Sequence, residues 1–302
     1  MNNKRRLFST LLCVAALTAG LFVSGCGSDK AGGIGSVVSS VVDGGSDEKA
    51  AAKLNTLIDA TNRFNGDNAT WGENYADSLA KLKGGFQEGA IGRQPHYDTL
   101  KDALEKSKKE GSTFKEVDTE RDNVLNVLNE LVPTFKDLKA YDDSKAYMND
   151  GGAKGKELAA KYVAQVEKFD AAYAKFNDAL NKANTEQTKK QIEKLKKDGK
   201  KGYAAAMEST LRLTTLVENV EKAPKNADKQ AVEKELNEIQ TLLKSINNDR
   251  GEVLVNSYNS VVGSVRQVLN DANENNLNDM IENFNNYIES YNNTTPDQFD
   301  SK

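Results

Sequence analysis

The turn around residue 145 holds the densest group of side chains that could do chemistry. Two tyrosines and three aspartates lie there: Tyr141, Asp142, Asp143, Tyr147 and Asp150. Because carboxylate and phenol oxygens bind cations and polar groups, we interpret this turn as a candidate cation or polar-ligand site. The alternative interpretation is a solvated turn in which Asp150 caps the helix that follows.

The second candidate is segment 84–97, which carries four glycines, one proline and the only histidine of the chain, His96. Glycine and proline break helices, so the segment predicts an irregular loop that could line a small-ligand or cation site. A single histidine excludes paired-histidine zinc and di-metal centres within one chain. Since phosphate-binding loops and nucleophile elbows are also absent from the sequence, we expect no catalytic residues, metal or cofactor. A carboxylate-dependent enzyme is the least favoured alternative.

The N-terminus has the pattern of an export signal. Basic residues 4–6 precede an apolar run over 7–23, as in a secretory signal peptide. The run ends in Val23-Ser24-Gly25-Cys26, which resembles the bacterial lipobox. That resemblance implies that residues 1–25 are cleaved and that Cys26 receives the lipid. The second cysteine, Cys13, then leaves with the signal, so no thiol remains for catalysis or redox sensing.

The charge balance narrows the possible partners. Residues 1–25 hold three basic and no acidic side chains, so the remaining chain has 38 basic and 45 acidic residues and a net charge of −7. An acidic chain of this kind argues against nucleic-acid binding and against electrostatic adhesion to anionic lipid. We therefore expect the membrane to be reached through acyl chains on Cys26, of which two or more give stable anchoring. The other expected partner is an unidentified envelope protein or polymer.

Residues 26–46 are dominated by glycine and serine, apart from a short valine-rich stretch. This composition predicts a flexible tether whose root-mean-square reach is about 25 Å.

From residue 47 onward, apolar residues recur at helical spacing. The clearest stripe comprises Leu158, Tyr162, Val166, Phe169, Tyr173, Phe176 and Leu180. Such stripes must be buried against one another, so the sequence predicts an all-α antiparallel bundle of about eight amphipathic helices. We expect one helical domain over 47–295 and a C-terminal tail over 296–302. The alternative is two helical subdomains that meet near 199–202.

Two positions predict interruptions of the helices. Pro133 lies inside an apolar stripe and should kink or restart its helix. The lysine-rich stretch 184–202 predicts either a solvated helix or a hinge that ends at Gly199 and Gly202.

Three segments, together with the lipobox, resemble the YiiG-like family of bacterial lipoproteins. They are Lys53–Phe64, the turn Ala140–Asp150 followed by Lys154–Leu158, and Gly199–Tyr203. The chain departs from the family pattern at one point. Its acidic pair Asp142-Asp143 precedes Tyr147, and Asp150 is the one aspartate of the turn that follows this tyrosine. The resemblance implies an all-helical envelope lipoprotein but no activity.

The sequence thus predicts a membrane-anchored lipoprotein whose helical domain is a non-enzymatic binding or structural module. In bacteria with two membranes, an Asp directly after the lipidated cysteine is the usual inner-membrane retention signal. This chain has Gly27 at that position, so we expect it in the outer membrane, facing the periplasm.

Overall fold

The structure is a computed structural model that describes residues 46–69, 72–92, 94–111 and 114–301. The predicted signal peptide, Cys26 and the tether up to residue 45 lie outside the described residues. Within the described ranges the chain forms eleven helices and no strand, which confirms the predicted all-α fold. None of these helices combines the length and the apolar character needed to cross a membrane.

Nine of the helices have 12 residues or more, and two are single turns of four residues. They are α1 (Ser46–Ala69), α2 (Gly72–Lys83), α3 (Tyr97–Lys109), α4 (Lys115–Asp143), α5 (Tyr147–Asp150), α6 (Ala153–Lys197), α7 (Lys201–Lys222), α8 (Lys229–Lys244), α9 (Asp249–Asn270), α10 (Glu274–Asn292) and α11 (Pro296–Phe299).

The described chain divides into two compact units, Lys49–Ala183 and Asn184–Lys302. The division falls inside α6. Each unit buries its own set of apolar side chains.

The core of the first unit is rich in aromatic rings. The ring of Phe169 packs edge-on against those of Phe64 and Tyr97, with centroids 5.8 and 4.9 Å apart. The Tyr173 hydroxyl donates a hydrogen bond to Asn65 Oδ1 at 2.9 Å. The stripe predicted on α6 is buried here except for Leu158, which is partly exposed.

In the second unit, three helices begin at residues whose side chains accept hydrogen bonds from the first free backbone N–H groups. These caps are Asp228 before α8, Asn248 before α9 and Asn273 before α10. Capping of this kind satisfies donors that would otherwise lack partners. Chain neighbours pack together, with α9 against α10 and α8 against both α7 and α9.

Residues beyond 295 also belong to the packing of the second unit. Phe299 is 2% exposed, and its ring stacks on those of Tyr203 and Tyr291, each centroid 5.9 Å away. Asp300 Oδ1 accepts a hydrogen bond from the backbone N–H of Gly202 at 2.6 Å, and its other oxygen accepts one from Tyr203 N. Asp300 thus caps the N-terminus of α7.

Of the two expected helix interruptions, Pro133 does not end its helix, whereas the lysine-rich stretch 184–202 contains a break. Helix α4 runs from Lys115 to Asp143 with Pro133 inside it, so the helix does not restart there. The flanking Leu131, Val132 and Thr134 are buried, and this packing offsets the cost of about 3 kcal/mol that an interior proline imposes.

The lysine-rich stretch is helical as far as Lys197 and then breaks at Gly199, whose φ of +80° is left-handed. Glycine is the residue that adopts this conformation without a steric penalty. Gly202 lies within the first turn of α7, so it is not part of a hinge. Ile192 and Leu195 are buried, so this part of α6 is only partly solvated.

Candidate functional site

The turn between α4 and α6 reverses the chain through three left-handed positions. Lys145 has φ of +54°, and Gly151 and Gly152 have φ of +62° and +83°. A left-handed conformation costs a non-glycine residue about 1 kcal/mol, so the surrounding contacts must hold Lys145 in place. The single-turn helix α5 lies between these positions.

The side chain of Asp150 binds backbone N–H groups at the end of this turn. Its carboxylate accepts hydrogen bonds from the Tyr141 hydroxyl at 2.5 Å, from Gly152 N at 2.9 Å and from Lys154 N at 3.2 Å. These bonds lower the pKa of Asp150, with the bond from Tyr141 contributing most. Asp150 therefore caps α6, which confirms the alternative interpretation of this residue.

The other two aspartates of the turn do not join Asp150. Asp143 forms an exposed ion pair with Lys139 at 2.8 Å, and Asp142 is half-buried in the last turn of α4. Among the described residues, no group of three or more histidine, cysteine or acidic side chains could hold a metal ion. Asp150 is thus directed to the backbone of the following helix, and the cation or polar-ligand site at Tyr141, Asp142, Asp143, Tyr147 and Asp150 stays a prediction.

The two candidate segments meet at Phe86. Its ring packs against Tyr141 and Tyr147, with centroids 5.2 and 5.8 Å away. Glu88, from the same segment, raises the pKa of Tyr147 to about 12 by favouring its neutral hydroxyl. The Phe86 and Tyr141 rings lie on the backbone of Gly155, where a β-carbon would come within 2.6 Å of both. The glycine is required because the two rings occupy the space of a side chain.

The middle of segment 84–97 is held by hydrogen bonds to α2. The Ser78 hydroxyl donates to the carbonyl of Ala90 at 2.6 Å and accepts from Gly92 N at 2.9 Å. Further along, Gln94 Oε1 accepts a hydrogen bond from the Tyr162 hydroxyl. These hydrogen bonds hold the segment against α2 and α6. His96 is exposed at the start of α3.

A buried group of tyrosines lies beneath this segment. The hydroxyls of Tyr75 and Tyr97 are 2.8 Å apart, and both residues are nearly inaccessible, as is Tyr162. Burial disfavours the phenolate and raises the pKa of all three.

A shallow groove of about 300 Å³ opens beside α6 in the first unit. Its floor is apolar, and its two ends carry charged side chains. At one end Lys83 Nζ lies 2.9 Å from Glu167 Oε1. The lining residues are Leu82, Lys83, Gly85, Lys156, Ala160, Val163, Ala164 and Glu167.

Asp170 lies one helical turn beyond Glu167 and is half-buried. Burial raises its pKa to about 6, an effect that Glu167 reinforces and Lys83 opposes. Across the part of the chain that the structure describes, no hydrogen bond or ion pair reaches this carboxylate. Sequence reasoning missed Asp170, although an acidic residue between Val166 and Tyr173 on an apolar stripe was a signal for it.

Comparison with known proteins identifies the family of the chain. No curated protein matches the chain, and no solved structure does. A family model described as a protein of unknown function, DUF3829, matches residues 48–280. The match spans both compact units and most of the chain, so the protein belongs to the DUF3829 family.

Proposed function

We propose that this protein is a lipid-anchored lipoprotein of the bacterial envelope, within a YiiG-like branch of DUF3829. Its helical domain acts as a non-enzymatic binding module. The lipid would be attached at Cys26, and the tether up to residue 45 would join the anchor to α1.

The proposal of a non-enzymatic domain rests on one observation. Polar side chains that could have served a reaction form hydrogen bonds within the fold instead. Tyr141 and Asp150 are bonded to each other and to the start of α6, and Ser78 is bonded to the loop above it. Groups engaged in this way stabilise the fold, which supports a non-enzymatic role for the domain. The exposed groove beside α6 supports a binding role and makes a small-ligand protein the second candidate.

The position of Gly27 supports export to the outer membrane, with the domain in the periplasm, if the host has two membranes. Incorporation of labelled palmitate tests the anchor. The wild-type protein should be labelled and processed, whereas Cys26→Ser should be neither. Equal labelling of the Ser variant would refute lipidation at Cys26. Separation of the two membranes on a density gradient tests the location, and Gly27→Asp should move the protein to the inner membrane.

Photocrosslinking in intact cells tests the binding role. A photoreactive residue at Ala160, in the groove, should yield a discrete crosslinked product with the full-length lipidated protein. The matched control is the exposed Ala174 on the same helix, which lies outside the groove. Equal products at both positions, or none at Ala160, would contradict a binding role for this surface.

A further inference from the structure

The backbone of segment 296–301 is bound by one side chain of the second unit. Asn248 Nδ2 donates hydrogen bonds to the carbonyls of Gln298, Phe299 and Ser301 at 3.1, 3.1 and 3.0 Å. Its Oδ1 accepts from the first free N–H groups of α9. Asn248 therefore has two separable functions, because its oxygen caps a helix and its nitrogen holds the segment.

The second unit also binds two side chains of this segment. The Phe299 ring stacks on those of Tyr203 and Tyr291, and the Asp300 carboxylate accepts hydrogen bonds from the backbone N–H groups of Gly202 and Tyr203. The segment lies so close to Gly202 that a β-carbon there would be 2.0 Å from the Phe299 carbonyl oxygen. This surface thus fits an aromatic side chain followed by a carboxylate. We call the four residues that hold the segment the cradle: Gly202, Tyr203, Asn248 and Tyr291.

Segment 296–301 also has hydrogen bonds of its own. Thr295 and Gln298 form a capping box around α11, whose first residue is Pro296. Ser301 Oγ donates a hydrogen bond to the Gln298 carbonyl at 2.9 Å. These bonds do not involve the cradle, so they can persist when the segment leaves it. A segment that is ordered before it binds loses less conformational entropy on binding.

Three residues, 293–295, connect the segment to α10. A change in their backbone angles would move the segment away from the cradle without unfolding α10. We propose that the cradle also receives segment 296–301 of a second copy of this chain, so that two copies are joined through it. A second copy supplies the same segment and can therefore form every contact that the cradle makes within one chain. This inference goes beyond the proposed function and requires neither the groove beside α6 nor the lipid anchor.

Binding between separate molecules is measured by fluorescence anisotropy, with a labelled synthetic peptide of residues 294–301 as the probe. The acceptor is the full-length chain with Phe299→Ala and Asp300→Ala, which frees the cradle, and circular dichroism confirms its fold. We expect saturable binding to the acceptor. The wild type should bind at least about tenfold more weakly, because its own segment competes at an effective concentration of about 1 mM. Equal affinity for both chains, or no saturation of the acceptor, would overturn the proposal.

Altered peptides and two matched variants assign the binding to the cradle. A Phe299→Ala peptide should not bind, and an Asp300→Asn peptide should bind about tenfold more weakly, since it lacks the charge. In the acceptor, Asn248→Asp keeps an oxygen that can cap α9 but removes the donor to the segment, so affinity should fall by about tenfold. Asn273→Asp makes the same change at the cap of α10 and should leave affinity unchanged. Equal affinities in these two variants would refute the role of Asn248.

Crosslinking with a short bismaleimide tests whether a second copy is the partner. One full-length chain is the acceptor with Lys200→Cys. The other carries Asp297→Cys together with Asn248→Asp, which loosens its own segment. Lys200 Nζ and Asp297 Oδ1 are 3.7 Å apart when the segment is in the cradle. We expect a crosslinked dimer in the mixture, and excess peptide should suppress it.

The control mixture replaces Asp297→Cys by Asp279→Cys, at an exposed position of α10. It should give no more dimer than either chain alone. Lys200→Cys and Asp297→Cys in otherwise wild-type chains should give the specific dimer at lower yield, and the yield should rise with protein concentration. No dimer above the control in either mixture, or a dimer that the peptide does not suppress, would overturn the exchange between copies.

Discussion

The ring of Tyr141 lies so close to the backbone of Gly155 that a β-carbon on residue 155 would come within 2.6 Å of Tyr141 Cε1. Atoms do not approach each other at this distance without a shift of the ring or of the helix. The contact joins the end of α4 to the first turns of α6. The same β-carbon would lie 2.6 Å from the ring of Phe86. The lack of a side chain at Gly155 therefore leaves room for rings from both candidate segments, 84–97 and the turn around residue 145.

Gly155→Ala should therefore destabilise the protein, although alanine is the better helix former. We expect the free energy of unfolding to fall by about 1–3 kcal/mol, the usual cost of overpacking. The matched control is Gly263→Ala in α9, where a β-carbon would meet nothing within 4 Å; this change should stabilise by about 0.5–1 kcal/mol. Urea unfolding followed by circular dichroism measures both, and a stabilised Gly155→Ala variant would show that the contact is not tight.

Gly202→Ala should be more damaging than Gly155→Ala. A β-carbon there would lie 2.0 Å from the carbonyl oxygen of Phe299, and a backbone atom yields less readily than a ring. The loss should be at or above about 3 kcal/mol, the upper end of the range for overpacking. Limited proteolysis should also show faster cleavage near residue 300 in this variant than in Gly263→Ala. Unchanged protection of the C-terminal residues would argue against the packing of Phe299 on α7.

Phe169→Ala should lower the free energy of unfolding by about 3–5 kcal/mol. The ring is 2% exposed and lies among Phe64, Tyr97 and Tyr173, so its removal leaves a cavity in the first unit. Met148→Ala is the comparison, since that side chain is 71% exposed and should change stability by less than about 0.5 kcal/mol. Similar melting temperatures for the two variants would contradict the burial of the α6 stripe.

Asp170→Asn should stabilise the protein at neutral pH by about 1–3 kcal/mol. The folded pKa of Asp170 is about 6, above the ordinary value of 3.8, so the folded state binds more protons than the unfolded state between these values. The wild type therefore loses stability as the pH rises from about 4 to 6, and the variant does not. Urea unfolding at pH 7 and at about pH 4 should show a difference that disappears at the lower pH. Asp178→Asn, at an exposed position on the same helix, is the comparison and should change stability at neutral pH by less than about 0.5 kcal/mol.

Most of the helices could be predicted from the sequence, because apolar spacing records which face each helix buries. The stripe of Tyr162, Phe169 and Phe176 is buried as its spacing indicated, and the break at Gly199 is where a glycine was expected to end the helix. The cap at Asp150 was also foreseeable, since aspartate before a helix commonly binds free N–H groups.

The contacts between distant segments could not be predicted in this way. Nothing in the spacing of Phe86 indicates that its ring packs on Gly155, and nothing around Gly202 indicates that Phe299 lies against it. Such contacts depend on how helices pack in three dimensions, which local patterns do not encode. Asp170 is an intermediate case, because its place on the apolar stripe was visible in the sequence but the effect of Lys83, from α2, on its pKa was not.

The burial of the tyrosines also sets an upper pH limit for the native structure. The pKa of each of the ten tyrosines of the chain lies above its ordinary value. Phenolates therefore form more readily in the unfolded chain, and the folded state loses stability as the pH rises past 10. An alkaline carbonate wash at about pH 11, of the kind used to strip peripheral proteins from membranes, would therefore favour unfolding of the domain. Such a wash is therefore unsuitable as a test of the proposed lipid anchor.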